Sequence, residues 1–147
     1  MTRIEVHSIS ELTKVADALI AKITAVGAGP SVVLFSGPVG AGKTTLIQSL
    51  MSALGSGEVS SPTFALHQTY RWQQGARRAE HLDLYRIESD DDLETTGVWD
   101  ILAGPSELVL IEWAEKLPDD FISPGRKIIR VYIKIVGENQ RAVTILD

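Results

Sequence analysis

Residues 37–44 read Gly-Pro-Val-Gly-Ala-Gly-Lys-Thr, and no other stretch restricts the fold of this chain as tightly. The run fills every fixed position of G-x-x-x-x-G-K-[ST]. Before it stands Val32-Val33-Leu34-Phe35, a continuous apolar run rich in β-branched residues. After it, Leu46, Ile47, Leu50, Met51 and Leu54 recur at helical spacing from Lys43 onward, and Gly55 sits where a C-terminal glycine cap belongs. A strand buried on both faces, a phosphate loop and a helix are expected in that order. Gly37, Gly40 and Gly42, with Ala41 between them, let the backbone curl until consecutive N–H groups point inward as an anion nest. The helix that follows adds the positive end of its dipole. Lys43 is placed to reach the β- and γ-phosphates of a nucleotide, and the Thr44 hydroxyl to reach Mg²⁺. Thr45 is expected to face the α-phosphate region.

Such a loop needs an acid at the tip of a neighbouring buried strand. Leu108-Val109-Leu110-Ile111 is a second fully apolar run, and Glu112 and Trp113 follow it. Glu112 is therefore the first candidate to hold the metal or orient water. In His81-Leu82-Asp83-Leu84-Tyr85, alternation sets His81, Asp83 and Tyr85 on one face. Asp83 becomes a second metal candidate if this strand lies beside the loop; the plainer reading is a solvated polar row. His81 taken alone points to structure rather than catalysis. Ser60-Ser61-Pro62-Thr63-Phe64 reads as a turn, or as a switch in which Thr63 senses the γ-phosphate or its metal.

The remaining patterns supply a frame. Residues 3–7 alternate weakly and suit an edge strand. Ser8 and Glu11 have capping-box spacing ahead of an amphipathic helix over about 9–25, closed by Gly27-Ala28-Gly29-Pro30. Two strands, 64–72 and 79–85, are joined by a polar turn. Residues 89–102 are acidic and helical with a break near Gly97, and 128–136 with 142–146 form a closing hairpin. The fold class is α/β: a P-loop NTPase fold, a mostly parallel central sheet flanked by helices, with added antiparallel strands. The 147 residues suit a single domain spanning 1–147.

Composition narrows the functions. The absence of cysteine excludes thiol nucleophiles and cysteine-held zinc or iron–sulfur sites. A net charge of −5 argues against autonomous nucleic-acid binding. Met1–His7 lacks the apolar core of a secretory leader, and no run approaches the ~18 apolar residues of a membrane span. A soluble cytoplasmic protein with no membrane partner is expected.

Together, G-P-V-G-A-G-K-T-T at 37–45, S-P-T-F at 61–64, H-L-D-L-Y-R at 81–86, L-E-T-T-G at 93–97 and I-E-W at 111–113 resemble the TsaE (YjeE) family in order and spacing. The resemblance spans about residues 8–115. It implies an ATPase, using ATP and Mg²⁺, in bacterial synthesis of threonylcarbamoyladenosine beside the anticodon of tRNAs that read A-starting codons. It implies action with the TsaB and TsaD proteins, with tRNA met through that complex. By the same resemblance Lys43 and Thr44 bind phosphate and Mg²⁺, Thr63 is the switch threonine, Asp83 the metal-associated aspartate and Glu112 the Walker-B-like acid, with Trp113 near the nucleotide. Pro38 departs from the family, which commonly has Asp there; nucleotide binding is expected to survive the change.

Two other readings stay open. A small-molecule kinase uses the same loop but needs a lid, for which Arg71, Arg77, Arg78 and Arg86 are the only cluster. A non-hydrolysing module would use the nucleotide only to gate an interface. A GTPase is disfavoured, since neither N-K-x-D nor D-x-x-G occurs.

Overall fold

The computed structural model describes residues 1–56 and 67–147. Its frame is one seven-stranded sheet of β1 (Thr2–Val6), β2 (Ser31–Ser36), β3 (His67–Trp72), β4 (Arg77–Asp83), β5 (Leu108–Glu112), β6 (Lys127–Ile135) and β7 (Arg141–Leu146), ordered β1-β7-β6-β2-β5-β4-β3. The four central strands, β6-β2-β5-β4, run parallel. β1-β7-β6 on one side and β3-β4 on the other pair antiparallel. The expected α/β sheet with a parallel centre and antiparallel additions is what the chain forms.

β2 and β5 are apolar throughout because helices cover both faces of the sheet there. Val33, Phe35, Leu108 and Leu110 pack under α1 (Leu12–Ile23) and α2 (Lys43–Ala53). Val32, Leu34, Val109 and Ile111 pack on the other face against Leu93, Val98 and Leu102 of α3 (Asp90–Thr95) and α4 (Val98–Ala103). Gly97, in the left-handed region at φ 75°, separates those two short helices at the break expected there.

Three boundaries differ from expectation for local reasons. The first helix opens as a 3-10 turn, Ile9–Glu11, and becomes α-helical only at Leu12. Ser8 makes no side-chain cap; its hydroxyl meets that of Ser10, while Glu11 accepts from the His7 N–H. Neither bond of the capping box therefore forms, and Glu11 caps the chain one residue earlier, at His7. β4 starts at Arg77, because the turn at Gln73 and Gln74 takes left-handed φ of 50° and 57° and lets pairing begin at once. It ends at Asp83 rather than residue 85, because Asp83 Oδ1 accepts from the Tyr85 N–H at 3.0 Å and curls the chain. The start expected for the preceding strand, residues 64–66, lies outside the described residues.

Candidate nucleotide site

The parallel strands end together at one edge of the sheet, and this is where the loop sits. Ligands of open α/β sheets collect at the carboxyl ends of the strands. β2 delivers Ser36 and Gly37, the loop turns through 38–42, and α2 starts at Lys43. Two glycines are fixed by space. A Cβ on Gly37 would lie 2.6 Å from the Ile133 carbonyl oxygen, and one on Gly42, at φ 107°, 2.9 Å from Leu12 Cδ1. The loop is thus wedged between β6 and α1.

A cavity of about 400 Å³ opens over the loop. Gly40, Ala41, Gly42, Lys43, Thr44, Thr45, Asp83, Glu112 and Trp113 all line it, together with Ile9 and Tyr85. Every candidate site residue named from the sequence converges here except two. Gly37 borders a neighbouring hollow beside β6, and Thr63 lies outside the described residues. Asp83 and Glu112 are register partners of β4 and β5, so strand pairing alone brings the two acids side by side.

Glu112 is buried and its two oxygens are divided. The Thr44 hydroxyl donates to Oε1 at 2.7 Å, and His81 Nε2 lies 2.7 Å from Oε2. His81 is fully buried, and its Nδ1 has no partner among the described residues. That favours the tautomer with the proton on Nε2, donating to Glu112. The row of His81 and Asp83 is thus turned inward toward the loop rather than into solvent. Sequence reasoning set His81 aside as structural, and the structure places it against Glu112 at the site. The clue to it was its shared face with Asp83.

Lys43 is buried and donates to the carbonyls of Gly37 and Pro38, the latter at 3.1 Å. Its Nζ also lies 4.0 Å from the centre of the Trp113 ring, within cation–π range. Burial pushes the Lys43 ammonium below its usual pKa, against the opposing pull of Glu115, Glu112 and Asp83. Burial also raises the Asp83 carboxyl; the Tyr85 N–H opposes that, and the charge of Glu112 adds to it. Trp113 adopts φ 57°, unusual for a bulky residue, and this bend after β5 carries the indole under Lys43. Tyr85 packs against the indole, with ring centres 5.3 Å apart. Pro38 supplies no N–H, but its carbonyl accepts from both Ala41 N–H and Lys43. The loop closes without the amide that proline removes.

The arrangement suits a polyphosphate with a hard divalent cation. Thr44, Glu112 and Asp83 offer only oxygen donors, the set Mg²⁺ accepts while sharing the phosphates. No group of three or more His, Cys, Asp or Glu able to cage a metal occurs among the described residues.

Comparison with known proteins decides the family. The family model "Threonylcarbamoyl adenosine biosynthesis protein TsaE" matches residues 6–143. The chain belongs to the TsaE family. The similarity extends well past the 8–115 stretch that carries the motifs, into the closing hairpin. Proteins named "tRNA threonylcarbamoyladenosine biosynthesis protein TsaE" are similar to this chain. That of Rickettsia felis is 34% identical, over 86% of this chain and 72% of its own length. That of Haemophilus influenzae is 38% identical, over 73% of each. That of Synechocystis is 38% identical over 60% of this chain, and the match spans 57% of its length. The crystal structure of Bacillus subtilis YdiB superposes with a TM-score of 0.60 and 26% identity, over 98% of this chain and 83% of YdiB. Nucleotide binding by this TsaE chain follows from its family and its loop.

Proposed function

We propose that this chain is the ATP-binding and ATP-hydrolysing component of tRNA threonylcarbamoyladenosine synthesis, working in the cytoplasm as a single domain with TsaB and TsaD proteins and meeting tRNA through that complex. The observation that carries this reading is the convergence of Lys43, Thr44, Asp83 and Glu112 on one cavity over the loop.

ATP lays its phosphates against the loop amides, and Lys43 exchanges the carbonyls of Gly37 and Pro38 for β- and γ-phosphate oxygens. Thr45, exposed at the rim, lies at the α-phosphate, and Trp113 walls the pocket. Thr44, Glu112 and Asp83 would hold Mg²⁺, which neutralises charge on the β- and γ-phosphates. Water held by Glu112 or Asp83 attacks the γ-phosphorus in line. The bond to the β–γ bridging oxygen breaks, leaving ADP and phosphate. Thr63 is assigned the switch that orders a partner-facing segment around the γ-phosphate. Groups supplied in trans account for hydrolysis that is weak in the isolated chain.

The geometry favours this reading over a small-molecule kinase, because three of the four arginines available for a lid stand far from the loop. Arg77 opens β4, six residues or about 20 Å of strand from Asp83, and Arg71 on β3 pairs with Arg78 beside it, which leaves only Arg86 of that cluster near the loop end of the strand. The deciding experiment is ATP hydrolysis by the purified chain, alone and with TsaB, TsaD and tRNA. Stimulation by the mixture is expected, and Lys43→Ala should remove it by roughly 100-fold or more. ATP bound but never hydrolysed in any mixture would replace this reading with the gating module.

A further inference from the structure

We propose that Arg141, at the start of β7, is a positioning residue that shapes the phosphate loop from behind. It rests on nucleotide binding at this loop and is independent of whether the nucleotide is hydrolysed. The guanidinium is buried and spends its donors on backbone carbonyls alone. Nε donates to Ala41 O at 3.0 Å and Nη2 to Gly40 O at 3.0 Å. Nη1 donates to Gly137 O, Glu138 O and Gln140 O at 3.1, 3.3 and 2.9 Å. No acid pairs with it among the described residues. A buried cation without a counter-charge is costly unless its surroundings are polar and fixed. Five carbonyl oxygens meet that requirement here, two of them from a loop 100 residues away.

The consequence follows from peptide geometry. A trans peptide is planar, with its N–H directed opposite to its C=O. Holding Ala41 O therefore fixes the plane that carries the Gly42 N–H and aims that N–H away from Arg141. Gly42 lines the cavity, and Arg141 does not. Holding Gly40 O fixes the plane of the Ala41 N–H, which closes the turn onto Pro38 O at 3.1 Å. The fork thus sets two successive loop peptides before any phosphate arrives, so less ordering is left for binding. A lysine cannot do this fully, because one ammonium lacks the fixed planar fork. The same cation ties the loop to the 137–140 turn, which gives the closing hairpin a role that the sequence does not reveal.

The test is calorimetric titration of ADP, with and without Mg²⁺, into wild type, Arg141→Lys and Arg141→Gln, alongside melting of each chain without nucleotide. Arg141→Gln should weaken ADP binding by roughly 10- to 100-fold, the range in which groups behind a binding shell act. Arg141→Lys should recover part of that loss. The weakening should persist without Mg²⁺, because the loop amides and not the metal are misplaced. An unchanged ADP affinity in a variant that melts at lower temperature would reduce Arg141 to a hairpin support and overturn the proposal. Should Arg141→Gln fail to fold, Arg141→Lys decides, and wild-type affinity there overturns it equally. A wild-type chain that binds no ADP would instead refute nucleotide binding at this loop.

Discussion

Glu112 shows how one side chain acquires a direction. A carboxylate at a strand tip is free to rotate, yet here Oε2 is tied to His81 and Oε1 meets the Thr44 hydroxyl. Oε1 is thus the oxygen turned toward the first turn of α2, and in the proposed function it is the one a cation would meet. Glu112→Gln should leave Mg²⁺-free ADP binding within about 2-fold while removing most of the gain that Mg²⁺ confers. His81→Ala should reproduce a weaker form of that loss, about 10-fold in Mg²⁺-dependent affinity, as partners behind a metal shell do. Titration of ADP with Mg²⁺ and with chelator measures both. Equal losses in the two conditions would mean that Glu112 supports the loop itself and not the cation.

At the scale of elements, β4 carries acids of two kinds on its two faces. His81 and Asp83 turn toward the loop, whereas Glu80 on the opposite face ties β4 to its neighbours. Glu80 is buried and accepts from Thr69 Oγ1 on β3, Arg78 Nε and Ser106 Oγ at 2.7, 2.7 and 2.9 Å, with His67 Nε2 also in contact. Burial pushes its carboxyl up, but hydrogen bonds from His67, Thr69 and Ser106 outweigh that and hold it below its ordinary 4.5. A depressed carboxyl stabilises the fold above its unfolded pKa, and that stability is lost as pH falls through the folded value. Denaturant midpoints should therefore drop as pH falls below about 4.5, with a smaller drop in Glu80→Gln. Glu80→Ala should cost roughly 2 kcal/mol at neutral pH, chiefly by stranding the buried Ser106 hydroxyl, since its other donors can turn to water. Strands β2 and β5, helix α2 and the loop were legible in the sequence because each rests on local pattern: an apolar run, a 3.6-residue period, a glycine motif. The inward turn of His81 was not, because alternation says only that two residues share a face. Which face is buried depends on where α2 crosses the sheet. The 3-10 opening before Leu12 was hidden for a similar reason. The spacing of Ser8 and Glu11 permits a capping box, but the Ser8 hydroxyl is engaged by Ser10.

At the scale of the whole molecule, the loop is the point at which separate parts of the chain meet. Gly37 abuts β6, Gly42 abuts α1, Thr44 reaches β5 through Glu112, and Gly40 and Ala41 reach β7 through Arg141. A ligand that binds only the folded loop stabilises whatever unfolds together with it. If these parts form one cooperative unit, ADP with Mg²⁺ at 100 times its dissociation constant should add about 2.7 kcal/mol to the stability of the entire fold. For a chain of this length that corresponds to a rise in Tm of roughly 5–10 °C. The shift should be the same by far-ultraviolet circular dichroism, which follows all helices and strands, and by tryptophan fluorescence, which follows Trp72 on β3, Trp99 on α4 and Trp113 after β5. Lys43→Ala should melt close to wild type without ligand and lose the shift. If ADP instead moved the Trp113-dominated signal while the circular dichroism transition stayed in place, the loop region would open separately from the rest. The connections through Arg141 and Glu112 would then be local braces and not part of a single unit.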